Sequence, residues 1–199
     1  MHFRTDINGL RGWAVLLVLL FHYEIWRFNG GFLGVDIFFV ISGFLMASII
    51  SNSNEKNNFS ISNFYLRRAR RIIPALLTLI IVIILIGLII LPPQELIKLS
   101  EHAGSSILFF SNFTYMDEAG YFDAVSINKW LLHTWSLSVE WQFYLLYPVL
   151  LKFFYILVAQ NNIYFKNLIF HILLFIVLIL LSFKSYDIKP EFAFFMLPA

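Results

Sequence analysis

The stretch that decides the fold class is residues 72–91, which read IIPALLTLIIVIILIGLIIL. It contains no charged side chain, and its length matches the roughly 20 residues that an α-helix needs to cross a bilayer. Four other apolar runs approach the same length, which gives predicted spans at 10–28, 32–50, 72–91, 141–159 and 167–183. The sequence therefore predicts an all-α protein, a polytopic transmembrane helical bundle.

Composition supports the same class. The 199 residues are 60% hydrophobic and only 13% charged, about half the charged share of an average soluble domain. There is no cysteine, which excludes disulfides, thiolate metal sites and cysteine nucleophiles; no metal site and no nucleic-acid binding are predicted. The chain ends in an apolar run, 192–199, so we expect residues 1–199 to be the N-terminal portion of one larger membrane domain.

Charged residues between the spans predict the orientation. Segment 51–71 carries five basic side chains and one acidic, whereas segment 92–139 carries two basic and five acidic. The excess of lysine and arginine places 51–71 in the cytoplasm, together with the N-terminus, and leaves 92–139 outside. Within that outer segment, the apolar patch 103–116 is interrupted by serines and an asparagine. We expect it to form an interfacial or re-entrant helix.

Arg11 and His22 stand inside the first predicted span. Eleven residues make just over three helical turns, so both side chains project from one face, about 16 Å apart. Ala14, Val15 and Val18 lie between them and are small enough to leave a groove. Polar groups at membrane depth are costly and normally face a protein interior or a water-filled path. The pair predicts the lining of a polar route, with a snorkelling anchor as the alternative for Arg11.

Asp36 is the predicted partner of His22. The turn Asn29-Gly30-Gly31 separates the first two spans, and the two arms of a hairpin rise together, which puts the two side chains at similar depth. A carboxylate bonded to an imidazole fixes its tautomer and stabilises its protonated form. The alternative is an interfacial ion pair between Asp36 and Arg27.

Four arginines in five residues, at 67, 68, 70 and 71, precede the third span. Such a cluster commonly anchors a span to lipid phosphates. Arginine is also suited to bidentate phosphate binding, and on a helix Arg68 and Arg71 share one face that can point into the bundle. A phosphate-rich ligand arriving from the cytoplasm would meet this face first.

A third polar segment, His133 to Glu140, leads into the fourth span and reads HTWSLSVE. Ser136, Ser138 and Glu140 alternate at what should be the outer mouth of the span. Aromatic residues flank them, so a purely interfacial role is the alternative.

Together these residues resemble the acyltransferase 3 family, the integral-membrane acyltransferases that O-acetylate bacterial surface glycans. The resemblance rests on the opening motif 6–11, the spacing to His22, residues 31–44, the Arg68/Arg71 pair before Ile72-x-Pro74, and residues 133–140. It covers essentially the whole chain. Members typically have about ten spans. This chain departs from the pattern at Asn8, where an aspartate is usual, and at Trp141, where a second glutamate is usual.

The resemblance implies an O-acyltransferase in the bacterial inner membrane. The enzyme would move an acyl group, commonly acetyl, from cytoplasmic acyl-CoA to a hydroxyl of an extracytoplasmic glycan such as lipopolysaccharide or another polysaccharide. Acyl-CoA would be a substrate, with no permanently bound cofactor. The catalytic residues would be His22, Asp36 and Glu140, with His22 as general base or acyl carrier. Substrate-binding residues would be Arg11, Arg68, Arg71, His133, Ser136 and Ser138.

Two alternatives from other classes use the same residues. A transporter or channel would line an ion path with the Arg, His and Asp side chains and perform no covalent chemistry. A membrane scaffold would use them only to pack helices. Convergence of His22, Asp36 and Arg68 on one cavity would favour the enzyme.

Overall fold

Every element in the described part of the chain is a helix. The computed structural model describes residues 5–25, 30–55, 59–119, 129–158 and 163–188. In chain order the helices are α1 (Thr5–His22), α2 (Leu33–Glu55), α3 (Ile61–Ile90), α4 (Pro93–Ile107), α5 (Ser111–Glu118), α6 (Thr134–Leu157) and α7 (Ile163–Ile188). The all-α prediction is confirmed for these residues, and a helix lies at each of the five predicted spans.

The chain divides into two compact units, and each is described by itself. The first comprises residues 1–57 with 198–199 and contains α1 and α2; the second, residues 58–197, contains α3 to α7. Among the described residues, Leu33–Ser53 of α2 and the whole of α3 are long and apolar enough to cross a membrane, and α7 contains a shorter apolar stretch, Phe165–Leu181. The number of spans and their orientation remain predictions.

In the first unit, α1 and α2 form a hairpin whose close contact depends on glycine. A Cβ atom at Gly31 would lie 2.3 Å from the Leu17 carbonyl oxygen, and one at Gly34 would lie 2.4 Å from that of Ala14. Both distances are shorter than van der Waals contact, so a larger residue would push the helices apart. Glycine therefore permits the close approach of the two helices at these two positions.

The first helix is placed differently from its predicted span. The span was expected at 10–28, but α1 begins at Thr5 and ends at His22. Residues 23–25 form a turn in which Glu24 has a φ of 53°, and a residue in this left-handed conformation cannot continue a right-handed helix. His22 therefore occupies the C-terminal end of α1 instead of a position inside it.

In the second unit, α3 merges the arginine cluster and the third span into one helix of 30 residues. Ser60 caps its start by accepting a hydrogen bond from the backbone N–H of Asn63, at 3.4 Å. The helix contains Pro74, and Thr78 donates its hydroxyl to the Pro74 carbonyl at 2.9 Å. The helix stops where Pro92 and Pro93 follow, and Pro93 starts α4.

Segment 103–116 forms parts of two helices with a sharp turn between them. The amides of Phe109 and Phe110 donate to the carbonyls of Ser106 and Ser105, at 3.1 and 2.8 Å, which is the Schellman arrangement at the end of α4. Phe109 has a φ of 56°, in the position that glycine usually takes. Its ring is buried and stacks on Trp141 at 4.6 Å between centroids, so packing offsets a backbone cost of about 1–2 kcal/mol.

Helix α4 folds back along α3 and brings the chain to the start of α6. The core of the second unit joins Leu76 and Ile80 of α3 to residues of α4, the turn and the segment before α6, namely Leu99, Ala103, Phe109 and Leu131. Nearer the start of α3, Tyr65 donates its hydroxyl to the Leu145 carbonyl of α6 at 2.8 Å. Helix α6 therefore runs antiparallel to α3 and begins partway along it. Whether segment 103–116 enters the membrane or lies at its surface remains a prediction.

Helix α7 packs against the second half of α6. The hydroxyl of Tyr147 lies 2.7 Å from Nε2 of His171, and His171 Nδ1 lies 2.6 Å from the Asn167 carbonyl oxygen. The rings of Tyr147 and Phe170 meet edge to face at 5.8 Å between centroids. A buried tyrosine with its hydroxyl paired thus joins the two helices.

Candidate functional site

His22 ends α1 with its side chain exposed. Nδ1 of the imidazole lies 2.8 Å from the Val18 carbonyl oxygen, one turn earlier in the same helix. This contact stays within α1.

Asp36 lies in the first turn of α2, half-buried, where the helix N-terminus favours a negative charge. The glycine contacts fix its height, because Gly31 meets Leu17 and Phe21 whereas Gly34 meets Ala14 and Val18. The two helices are therefore antiparallel, and later residues of α2 lie beside earlier residues of α1.

Asp36 is consequently level with the region of Ala14, roughly 12 Å along the helix axis from His22. The prediction of equal depth and a hydrogen bond between the two side chains is wrong. The reason is that Gly31, before the start of α2, already contacts Leu17 and Phe21, so α2 begins beside the second half of α1 and moves away from His22. Arg27, the other partner predicted for Asp36, lies outside the described residues.

Arg11 combines burial with an unpaired donor. Its side chain is half-buried, and within the described residues its Nε atom is buried without a hydrogen-bond partner. The face between Arg11 and His22 is not an open groove, because Ala14 is fully buried where Gly34 packs against it. A buried donor that lacks a partner is rare in folded proteins and is typical of a site that receives a ligand or water.

The arginine cluster separates into one packed side chain and three exposed ones. Cζ of Arg68 lies 5.5 Å from the ring centroid of Phe64 and 5.2 Å from that of Tyr144, both within cation–π range. Arg68 is half-buried, whereas Arg67, Arg70 and Arg71 are exposed. The prediction that Arg68 points into the bundle is confirmed. Arg71, for which the same direction was predicted, is exposed instead.

Glu140 is joined to Arg68 through an aromatic residue of α6. The Tyr144 hydroxyl donates to Oε1 of Glu140, and the ring of the same tyrosine contacts the Arg68 guanidinium. Arg68 and segment 133–140 were predicted to lie on opposite sides of the membrane. The membrane sides remain a prediction, but Glu140 lies one helical turn from Tyr144, the residue that contacts Arg68. Because α4 returns along α3, α6 begins beside Leu76 and Ile80 and reaches the level of Arg68 at Tyr144.

The remaining predicted residues of α6 have different surroundings. His133 is exposed at the start of the helix, and the Ser136 hydroxyl donates to its carbonyl at 3.1 Å. Ser138 is buried, with its Oγ 2.7 Å from that of Ser111. The structure therefore brings together Arg68 and Glu140, leaves His133 at the surface and places Ser138 in the helix packing.

Sequence reasoning missed a chain of buried hydroxyls between α4, α5 and α6. Ser106 and Thr134 lie 2.7 Å apart, Thr134 donates to Ser111 at 3.1 Å, and Ser111 meets Ser138 at 2.7 Å. Each of the four residues is at most 6% exposed, so water cannot replace these bonds. An amide pair extends the network: Gln142 Nε2 donates to Asn112 at 2.9 Å and to the Phe109 carbonyl at 2.8 Å. These groups fix the start of α6.

An ionic group borders the hydroxyl chain. Nε2 of the buried His102 lies 2.7 Å from one carboxylate oxygen of Glu118, and Lys129 Nζ lies 3.0 Å from the other. Burial alone would raise the pKa of the Glu118 carboxyl, but the hydrogen bonds and positive charge of His102 and Lys129 outweigh it and lower that pKa. The one sequence signal was the run of polar residues inside 103–116, which marked a weak span instead of a buried network.

Trp141 accounts for one departure from the family pattern. Its ring stacks on Phe109 with an angle of 15° between the planes, and it packs against the core of the second unit. An apolar aromatic at this position covers the strained turn between α4 and α5. A carboxylate there would lose this contact.

Comparison with known proteins points to one family. Residues 4–198 match the model of the acyltransferase domain of the acyltransferase 3 family. The O-acetyltransferase OatA of Staphylococcus aureus is 38% identical over 149 residues, 74% of this chain and 24% of that protein. The peptidoglycan O-acetyltransferase OatA of Listeria monocytogenes is 36% identical over 151 residues, 75% of this chain and 24% of that protein. The match spans about a quarter of each relative's length. No solved structure matches the chain.

Proposed function

The chain belongs to the acyltransferase 3 family, and on that premise we propose that it carries part of a membrane O-acyltransferase. The proposed donor is acetyl-CoA on the cytoplasmic side of a bacterial inner membrane, and the proposed acceptor is a hydroxyl of a cell-surface glycan. The name of the Listeria relative makes peptidoglycan the first acceptor to test, ahead of lipopolysaccharide. The lipid bilayer would surround the helices of both units, with the N-terminus in the cytoplasm.

The observation that carries this proposal is the packing of Arg68. A half-buried guanidinium held by two aromatic rings is a preorganised site for phosphate oxygens, which arginine binds in bidentate fashion. The exposed Arg71 would add positive charge at the same end of α3. Acyl-CoA is a donor rich in phosphates, so these two residues would bind it. Arg11 would use its unpaired Nε toward the substrate path.

His22 remains the proposed base. In the transfer, the acceptor oxygen forms a bond to the thioester carbonyl carbon, the C–S bond breaks, and the acceptor proton passes to the imidazole while the CoA thiolate leaves. His22 is exposed, with Nδ1 2.8 Å from the Val18 carbonyl oxygen, and its Nε2 would accept the proton of the substrate hydroxyl. An acyl-histidine relay uses the same nitrogen. Asp36 is not proposed as its orienting carboxylate, because the two lie at different heights in the hairpin.

The test uses the full-length protein in a cell whose own O-acetyltransferase gene is deleted. Mass spectrometry of purified peptidoglycan should show O-acetyl groups when the wild-type gene is supplied. They should be lost with Arg68→Ala and retained with Arg67→Ala, a matched exposed arginine. Absence of O-acetyl groups from every surface glycan of cells with wild-type protein in the membrane would refute the proposal.

A further inference from the structure

Tyr144 contacts two proposed functional residues at once. Its ring centroid lies 5.2 Å from Cζ of Arg68, and its hydroxyl donates to Oε1 of Glu140. The residue is 3% exposed, so both contacts lie in a largely desolvated setting where cation–π and charge-assisted hydrogen bonds are strongest. Phe64, which is 1% exposed, provides the second ring against Arg68.

We propose that Tyr144 is a positioning residue for acyl transfer, with separate tasks for its two ends. The ring would hold the Arg68 guanidinium in the orientation that binds a phosphate of acyl-CoA. The hydroxyl would hold the Glu140 carboxylate in the orientation it uses during the reaction. This inference rests on the proposed acyltransferase function and adds a link between donor binding on α3 and the carboxylate of α6.

A second contact between the same helices keeps this arrangement in register. Tyr65 lies one turn before Arg68 on α3, and its hydroxyl donates to the carbonyl of Leu145, the residue after Tyr144. The two helices are therefore tied beside the Arg68–Tyr144 contact, and a slide along their axes would break both. Because the ring cannot move without α6, it presents a fixed surface to the guanidinium, as a binding site requires.

The two ends of the side chain can be tested separately. Tyr144→Phe keeps the ring and removes the hydroxyl, so KM for acetyl-CoA should stay near wild type while kcat falls roughly two- to tenfold. Tyr144→Leu removes the ring as well, so KM should rise roughly three- to thirtyfold. Tyr147 offers matched controls, because it is also 3% exposed on α6 but pairs with His171 of α7. Tyr147→Phe and Tyr147→Leu should leave KM for acetyl-CoA unchanged.

The measurements use the purified full-length protein in vesicles, with radiolabelled acetyl-CoA and a soluble peptidoglycan fragment, and melting temperature is recorded for each variant. In an Arg68→Ala background, Tyr144→Leu should raise KM no further, since the contact it removes is already absent. Equal KM in wild type and Tyr144→Leu would overturn the inference alone. If Tyr144→Leu does not accumulate, Tyr144→Phe decides, and a raised KM or an unchanged kcat there overturns it. A wild-type protein that neither binds nor consumes acetyl-CoA would overturn the proposed function and this inference with it.

Discussion

Polar residues in the α1–α2 hairpin and in the α4–α6 network differ in whether their hydrogen bonds join different helices. In the hairpin, His22 bonds to a carbonyl of its own helix, and the Nε of Arg11 has no partner among the described residues. In the network, Ser111 meets Thr134 and Ser138 on a different helix. Groups bonded across helices stabilise the packing, whereas His22 and Arg11 of the hairpin are the residues that we propose to act on a substrate. The hairpin therefore holds the residues proposed for catalysis and substrate binding, and the network holds residues that stabilise the fold.

The largest expected effect concerns the hairpin. His22→Ala should reduce acetyl transfer about 10²- to 10⁴-fold, the range for loss of a general base, and leave the melting temperature unchanged because the side chain is exposed. His171→Ala is the matched control. It removes a histidine bonded to Tyr147 and Asn167, so it should lower stability and spare turnover per folded molecule. The O-acetyl content of peptidoglycan, normalised to protein level, measures the activity of both variants. Unchanged content with His22→Ala would contradict the assignment of His22 as the base.

A smaller effect distinguishes the packed arginine from an exposed one. Arg68→Lys loses the planar guanidinium on the two rings and should weaken acetyl-CoA binding by about 1–2 kcal/mol. Arg71→Lys keeps an exposed charge and should weaken binding by less than about 0.5 kcal/mol. Isothermal titration of acetyl-CoA into both purified variants makes the comparison. Equal affinities for the two would mean that charge alone is recognised, as for a membrane anchor.

The sequence predicted the helices themselves better than which residues of neighbouring helices lie side by side. Apolar runs identified all the long helices because burial in lipid or core requires them, whatever their neighbours. The height of Asp36 depends on where Gly31 and Gly34 contact α1, and the position of Glu140 depends on the return of α4 along α3. Such pairings arise from contacts distant in sequence. The polar residues inside 103–116 were visible, but their partners in α6 could be found only from the fold.

Mutations in the network should lower the stability of the protein and leave its turnover unchanged. Ser111→Ala removes the hydrogen bonds to Thr134 and Ser138 and leaves the buried Ser138 hydroxyl without its Ser111 partner, which should cost about 1–3 kcal/mol of stability. Ser100→Ala is the control, because that serine is exposed and donates its hydroxyl to the Leu96 carbonyl of its own helix. Thermal unfolding in detergent is the measurement. Equal melting temperatures for both variants would show that the hydroxyl chain does not hold α5 to α6.

The smallest expected effect is a pH dependence of the same region. The pKa of Glu118 is lower in the folded protein than in the unfolded chain, so its contribution to stability is present above the ordinary carboxyl pKa. That contribution is lost as the pH falls through the lowered folded value. Wild type should therefore lose more stability than Glu118→Gln on acidification below about pH 4.5. Parallel melting curves of the two proteins against pH would contradict the paired carboxylate.

The most direct test of the central claim records turnover and melting temperature on the same preparations of full-length protein, for His22→Ala and for Ser111→Ala. Turnover is the transfer of labelled acetyl from acetyl-CoA to a peptidoglycan fragment, divided by the amount of folded protein. We predict a crossed result: His22→Ala loses turnover and keeps its melting temperature, whereas Ser111→Ala keeps turnover and melts earlier. A loss of turnover with Ser111→Ala at full folded yield, or normal turnover with His22→Ala, would contradict the division between residues that act and residues that support.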